Sequence, residues 1–190
     1  MSLYGFVLFS HVAAVLALFV CLSFEALSLF RMRRASTLAE ARLWIEPMPG
    51  LPLWTGVSAL VIFVSGIYLA LRMSAFGQAW IELSIVALLL IAPLGALTST
   101  RMRATRHALA SATTMKPELV SQLEDVLLKI SLGLRMFIFL GIVLLMTAKP
   151  ELLQSASIVA SSVVLGLLSP LAFWHGRTHL SASGTNLENG

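Results

Sequence analysis

Apolar runs too long for a soluble core constrain this chain more than any other feature. The stretch "HVAAVLALFVCLSFEALSLF" at 11–30 carries one histidine and one glutamate among residues that otherwise dissolve in hydrocarbon. A helix rises about 1.5 Å per residue and a bilayer core is about 30 Å thick, so roughly 18 to 20 mostly apolar residues make a span. Five segments meet that length, at 4–30, 51–71, 78–100, 130–148 and 152–174. Only 12% of the residues are charged, against about 25% in soluble domains. The expected fold is all-α: one polytopic membrane helix bundle over 1–180 with five transmembrane helices. The final stretch 181–190, "SASGTNLENG", lacks apolar periodicity and is expected to be a disordered tail.

Basic loops stay in the cytoplasm, and the arginines and lysines are unevenly placed. Arg31, Arg33, Arg34 and Arg42 follow the first span, and Arg101, Arg103, Arg106, Lys116 and Lys129 lie between the third and fourth. The other side offers only Arg72 and Lys149 at helix ends. The expected topology therefore has the N-terminus outside and the C-terminus, with Arg177, in the cytoplasm of a bacterial cell, the protein being multi-pass in the inner membrane. Tyr4, Tyr68 and Trp80 fit an outer aromatic belt, and Trp54 and Trp174 an inner one. Topology and anionic headgroups account for the net charge of +4, so no nucleic-acid partner is expected. Basic residues follow the first span rather than precede it, which marks a retained anchor rather than a cleaved signal.

Between the third and fourth spans, "RMRATRHALASA" extends the third helix. The stretch "PELVSQLEDVLLKI" puts Leu119, Val120, Leu123, Val126, Leu127 and Ile130 on one face of a returning helix. The two would form a cytoplasmic helical hairpin turning at "TTMKP". In the fifth span, small residues four apart, Ser157 with Ser161 and Ser162 with Gly166, mark a face that meets another helix. That helix belongs either to this chain or to a homo-oligomer or membrane partner. Pro93 with Gly95 would loosen the third span and free a carbonyl toward a polar cavity.

Ionisable groups in lipid must be paired, neutral or close to an interface, because a charge at the centre costs at least about 2.5 to 3.5 kcal/mol. Glu82 lies one turn into the third span, within reach of Arg72. Glu25 and Arg135 enter from the cytoplasmic side to similar depths, as an ion pair between the first and fourth spans would require. His11 and Glu25 are two heptads apart and project toward nearly the same face, a polar seam about 21 Å long. Three readings of His11 stay open: a hydrogen-bonded structural imidazole, a proton carrier or an axial haem ligand. His175 and His179 have an i, i+4 spacing that could hold a metal, with no acid or cysteine beside them. Cys21 reads as a packing residue. No nucleophile–base pair, phosphate loop or paired-carboxylate motif points to catalysis.

The early histidine in "LFSHVAAVLAL", the loop "EPMPGLPLW" and the closing "LLMTAKP" resemble uncharacterised small bacterial inner-membrane proteins. More distantly, the histidine resembles that of CopD-like and protoporphyrinogen-oxidase-like membrane proteins, and that resemblance implies haem b with His11 as ligand. Those oxidases follow the tryptophan opening their third span with a lysine, whereas "QAWIELSIV" supplies Glu82 after Trp80. The leading expectation is a small-molecule or ion binding and transport protein using His11, Glu25, Pro93 and Arg135. A haem-linked redox protein and a non-catalytic interaction subunit are the alternatives.

Overall fold

The computed structural model describes residues 2–35, 37–45, 50–112 and 126–173. Within them lie six helices: α1 (Leu3–Arg34), α2 (Leu38–Ile45), α3 (Leu51–Arg72), α4 (Ala79–Ser111), α5 (Val126–Ala148) and α6 (Leu152–Phe173). Five of these, all but α2, are long and apolar enough to cross a membrane. They make an all-helical, multi-pass membrane bundle in contact with lipid.

Local chemistry sets the helix ends. Ser2 caps α1 by accepting from the Gly5 amide at 3.2 Å, and Pro52 sits in the first turn of α3, where its missing donor does no harm. The tight α3–α4 turn needs Gly77, whose φ of +92° excludes most side chains. At the α5–α6 turn Lys149 takes φ +47°, and Ser155 Oγ donates to the Pro150 carbonyl at 3.0 Å.

Burial differs from that of a soluble protein in that polar side chains join the apolar core while large apolar ones cover the outside. Glu25, Ser28, Ser58, Ser65, Ser84, Thr98, Ser131, Arg135, Ser155, Ser162 and Ser169 are buried, while Leu3, Phe9, Leu16, Val20, Leu60, Leu89 and Leu153 lie exposed. Hydrocarbon solvates leucine as well as a core does, so helices in lipid pack through small and polar faces. The same principle corrects the expected face at the start of α5. Val126 and Leu127 are exposed there, and Leu128, Ser131, Leu132 and Arg135 point inward.

Closest packing is between α5 and α6 and between α1 and α3, followed by α4 on α5. A Cβ on Gly166 would lie 2.7 Å from Leu134 Cα, and one on Gly133 would lie 2.7 Å from the Gly166 carbonyl oxygen. Ser162 fits against Gly141 in the same seam. Ser162 and Gly166 thus meet a helix of their own chain, whereas Ser157 and Ser161 stay exposed. The short α3–α4 connection does not bring its helices together, since they touch far less than α1 and α3 do.

Antiparallel packing gathers Arg31, Arg34, Arg42, Arg101, Arg103 and Arg106 at one end of the bundle, called here the basic end. The helix α4 continues beyond its apolar stretch to Ser111; the turn and most of the returning arm of the expected hairpin fall outside the described residues. The short helix α2 was not expected. It folds onto that extension, with Ala41 buried beside Met32, Met102 and Leu109, and Arg31 stacks over Trp44 at 5.5 Å. Arg42 donates to the carbonyls of Leu109 at 2.9 Å and Ala112 at 2.8 Å, capping the end of α4.

Candidate functional site

The loosely packed α3 and α4 leave two cavities between them, with walls completed by α1 and α5. The one nearer the basic end has a volume of about 340 Å³ and is lined by Glu25, Thr55, Thr98, Arg103, Arg106 and Arg135 among apolar neighbours. The one nearer the start of α1 measures about 320 Å³ and includes His11, Met73, Trp80, Ser84, Met146 and Lys149. Leu88 lines both. Around it Leu18, Ala87, Ile62, Ile91 and Ile138 form a buried apolar layer.

In the basic cavity Arg135 Nη1 donates to Glu25 Oε1 at 2.9 Å. Their side chains are only 3% and 11% exposed, so each charge depends on the other for compensation. The expected ion pair between α1 and α5 is therefore formed. Arg135 Nε is buried without a hydrogen-bond partner, as is Arg106 Nε. Gly95 packs beside the guanidinium, where a Cβ would lie in ordinary contact, 3.8 Å from Arg135 Cζ. Four residues before Arg135, Ser131 Oγ donates to the Leu94 carbonyl at 2.9 Å and shares a 2.8 Å hydrogen bond with Thr98. This clasp next to Pro93 holds α5 against α4, which remains helical through the proline.

In the other cavity His11 Nδ1 lies 2.9 Å from Ser65 Oγ. The Ser65 hydroxyl donates its one proton to the Val61 carbonyl of its own helix. In the tautomer that lets the Ser65 oxygen accept from His11 Nδ1–H, the imidazole lone pair lies at Nε2. Gly66 permits the approach, since a Cβ there would meet His11 Cε1 at 3.3 Å. Trp80 is buried with Nε1 donating to Gln78 Oε1 at 2.6 Å, so it serves the cavity wall rather than an aromatic belt. Lys149 lies over its ring at 5.8 Å.

Glu82 is exposed in the first turn of α4. Arg72 does not reach it; its Nε donates to Tyr68 Oη at 3.3 Å on the same helix. Cys21 is buried and free. His175, His179 and Trp174 lie outside the described residues. Among the described residues no three His, Cys, Asp or Glu side chains gather as a metal cluster. For the haem b implied by resemblance, His11 offers one oriented nitrogen and the same cavity holds the thioethers of Met73 and Met146. His107 is exposed on the α4 extension, too far along the bundle to supply a second imidazole. Among the described residues the donor set thus offers a single histidine bond.

Reading residues alone missed Ser65, Thr98, Leu88 and the contribution of α3 to both cavities. A serine or threonine in a membrane helix usually bonds its own backbone four residues back, so its type does not reveal the partner it gains across the bundle. The chain matches no family model, no curated protein and no solved structure.

Proposed function

We propose that the protein binds and transports a small polar solute across a bacterial inner membrane, with the N-terminus outside and the basic end in the cytoplasm. The observation carrying this reading is that Leu88 lines both cavities, one reaching toward each end of the bundle. A solute would have to cross only the layer around Leu18 and Leu88. From Leu88 to Arg106 the helical rise is about 27 Å, so the basic cavity covers much of the distance from that layer to the cytoplasmic surface. The polar groups at its middle depth are Glu25, Arg135 and Thr98, while His11 faces the opposite cavity.

Flux through proteoliposomes tests the path, with labelled acetate, inorganic phosphate and rubidium as probes. Leu88→Trp should stop whichever flux the wild type supports, and Leu88→Ala should raise it several-fold. Flux indifferent to both substitutions would rule out this route. The orientation of His11 supports a second reading, a haem-linked redox protein. An absorption spectrum of protein expressed with ample haem decides that one: a Soret band lost in His11→Ala supports it, and no band removes it.

A further inference from the structure

Three buried side-chain atoms of the described residues lack a hydrogen-bond partner: Ser28 Oγ, Arg106 Nε and Arg135 Nε. All belong to the basic half of the bundle, and both arginines line its cavity. An unpartnered buried donor is costly, and two on one cavity mark a place where an acceptor is missing. Among the described residues the charge lining that cavity is also one-sided, with Arg103, Arg106 and Arg135 facing the one carboxylate of Glu25. Glu25 is already engaged by Arg135 Nη1, so among the described lining residues no second acid faces the Nε edge of that guanidinium or the Arg103–Arg106 rim. The opposite cavity has the same sign, Lys149 being its one lysine or arginine, with no acidic lining residue.

We propose that the basic cavity takes an oxyanion, a carboxylate or phosphate group, held by the guanidinium groups of Arg135 and Arg106 that line it and drawn in by Arg103. This deepens the solute-binding reading by naming the class of ligand, and rests on it. An oxyanion matches the planar donor edge of a guanidinium, and hydrogen bonds between ions are the strong ones. Glu25 then acts as the internal counter-ion that compensates the Arg135 charge in lipid and holds its Nη1 corner, so the ligand meets a fixed edge. A cation would face arginines at the cytoplasmic mouth and a lysine at the far one, which disfavours it along the whole path. The group could arrive on a free solute or on the headgroup of an anionic lipid.

Titration calorimetry on protein in nanodiscs of neutral phosphatidylcholine, with acetate and inorganic phosphate as probes, tests the site. Wild type should bind at least one of them saturably. Arg106→Gln should weaken that binding about ten-fold or more, as should Glu25→Gln/Arg135→Gln, which removes both members of the ion pair and leaves no stranded charge. Nanodiscs containing phosphatidylglycerol separate the sources. If that lipid displaces the free anion, or raises the melting temperature of wild type but not of Arg106→Gln, the headgroup is the occupant. Saturable anion binding unaffected by either substitution, or no response to free or lipid anions, overturns the proposal and leaves water as the partner of the two Nε atoms. Flux distinguishes this failure from that of the transport reading. Rubidium flux stopped by Leu88→Trp would keep the path and remove the anion, whereas anion binding without flux would keep the site and remove transport.

Discussion

Arg135 and His11 are both polar residues inside an apolar bundle, yet they respond to different requirements. Arg135 keeps its charge, so its partner must be an anion, and the similar depth of Glu25 and Arg135 made that partner legible before any geometry was known. His11 is satisfied by one neutral acceptor, and nothing distinguishes Ser65 in sequence from the other serines of the spans. The same contrast sets the expected effects of mutation. Glu25→Ala strands a buried guanidinium and should cost about 3 to 5 kcal/mol of stability, with Glu25→Ala/Arg135→Ala losing less than the two single losses added together. His11→Ala removes one neutral hydrogen bond and leaves Ser65 bonded to the Val61 carbonyl, so it should cost only about 1 to 2 kcal/mol. Unfolding in mixed detergent micelles measures the wild type and the four variants, Arg135→Ala included. Additive losses at Glu25 and Arg135 would mean that the 2.9 Å contact carries no coupling.

At the scale of the helices, spans were readable because apolar length alone decides whether a helix can cross lipid, and no competing periodicity obscures it. The helix α2 was not readable. Eight residues with a polar face look like a loop, and their order depends on the tertiary contacts of Arg42, Ala41 and Trp44 with α1 and α4. Arg42→Ala should therefore loosen a helix end far away in sequence. Amides of 107–112 should exchange about five-fold faster, reflecting loss of a cap contributing about 1 kcal/mol, while those of 84–92 stay unchanged. The small-residue motif of the last span pointed to a helix contact but did not identify the neighbour, because spacing is the same for contacts within and between chains. With Gly166 against Leu134 and Ser157 exposed, the two positions should separate cleanly. Gly166→Leu forces the α5 and α6 backbones apart and should cost at least about 3 kcal/mol or abolish folding, whereas Ser157→Leu should leave the unfolding midpoint of the monomer in place. A large loss from Ser157→Leu alone would show that this exposed face is covered by another chain.

For the molecule as a whole, the arrangement of charge and of cavities leads to one expectation about orientation. Among the described residues, arginines gather at the end where α1 finishes and α4 overshoots, while Arg72 and Lys149 stand at the other. In the proposed orientation, with basic segments retained in the cytoplasm, the basic cavity faces inside and the His11 cavity outside. The fold alone does not decide this, because a helix bundle is equally well packed in either direction; the charge asymmetry makes the choice during insertion. The same arginines serve two purposes under this reading. Arg103 and Arg106 hold the α4 extension in the cytoplasm and line the mouth of the cavity there. Fusions of alkaline phosphatase and of green fluorescent protein after Arg42, Phe76 and Ser111 check it. The phosphatase should be active only after Phe76, and the fluorescent protein should be bright after Arg42 and Ser111. Replacing Arg101, Arg103 and Arg106 with glutamine should weaken the bias without inverting it, since Arg31, Arg33, Arg34 and Arg42 still follow the first span and remain to anchor it. Active phosphatase after Ser111 in the unaltered protein would put the guanidinium-lined mouth on the outer surface, and its oxyanion would then be drawn from outside the cell.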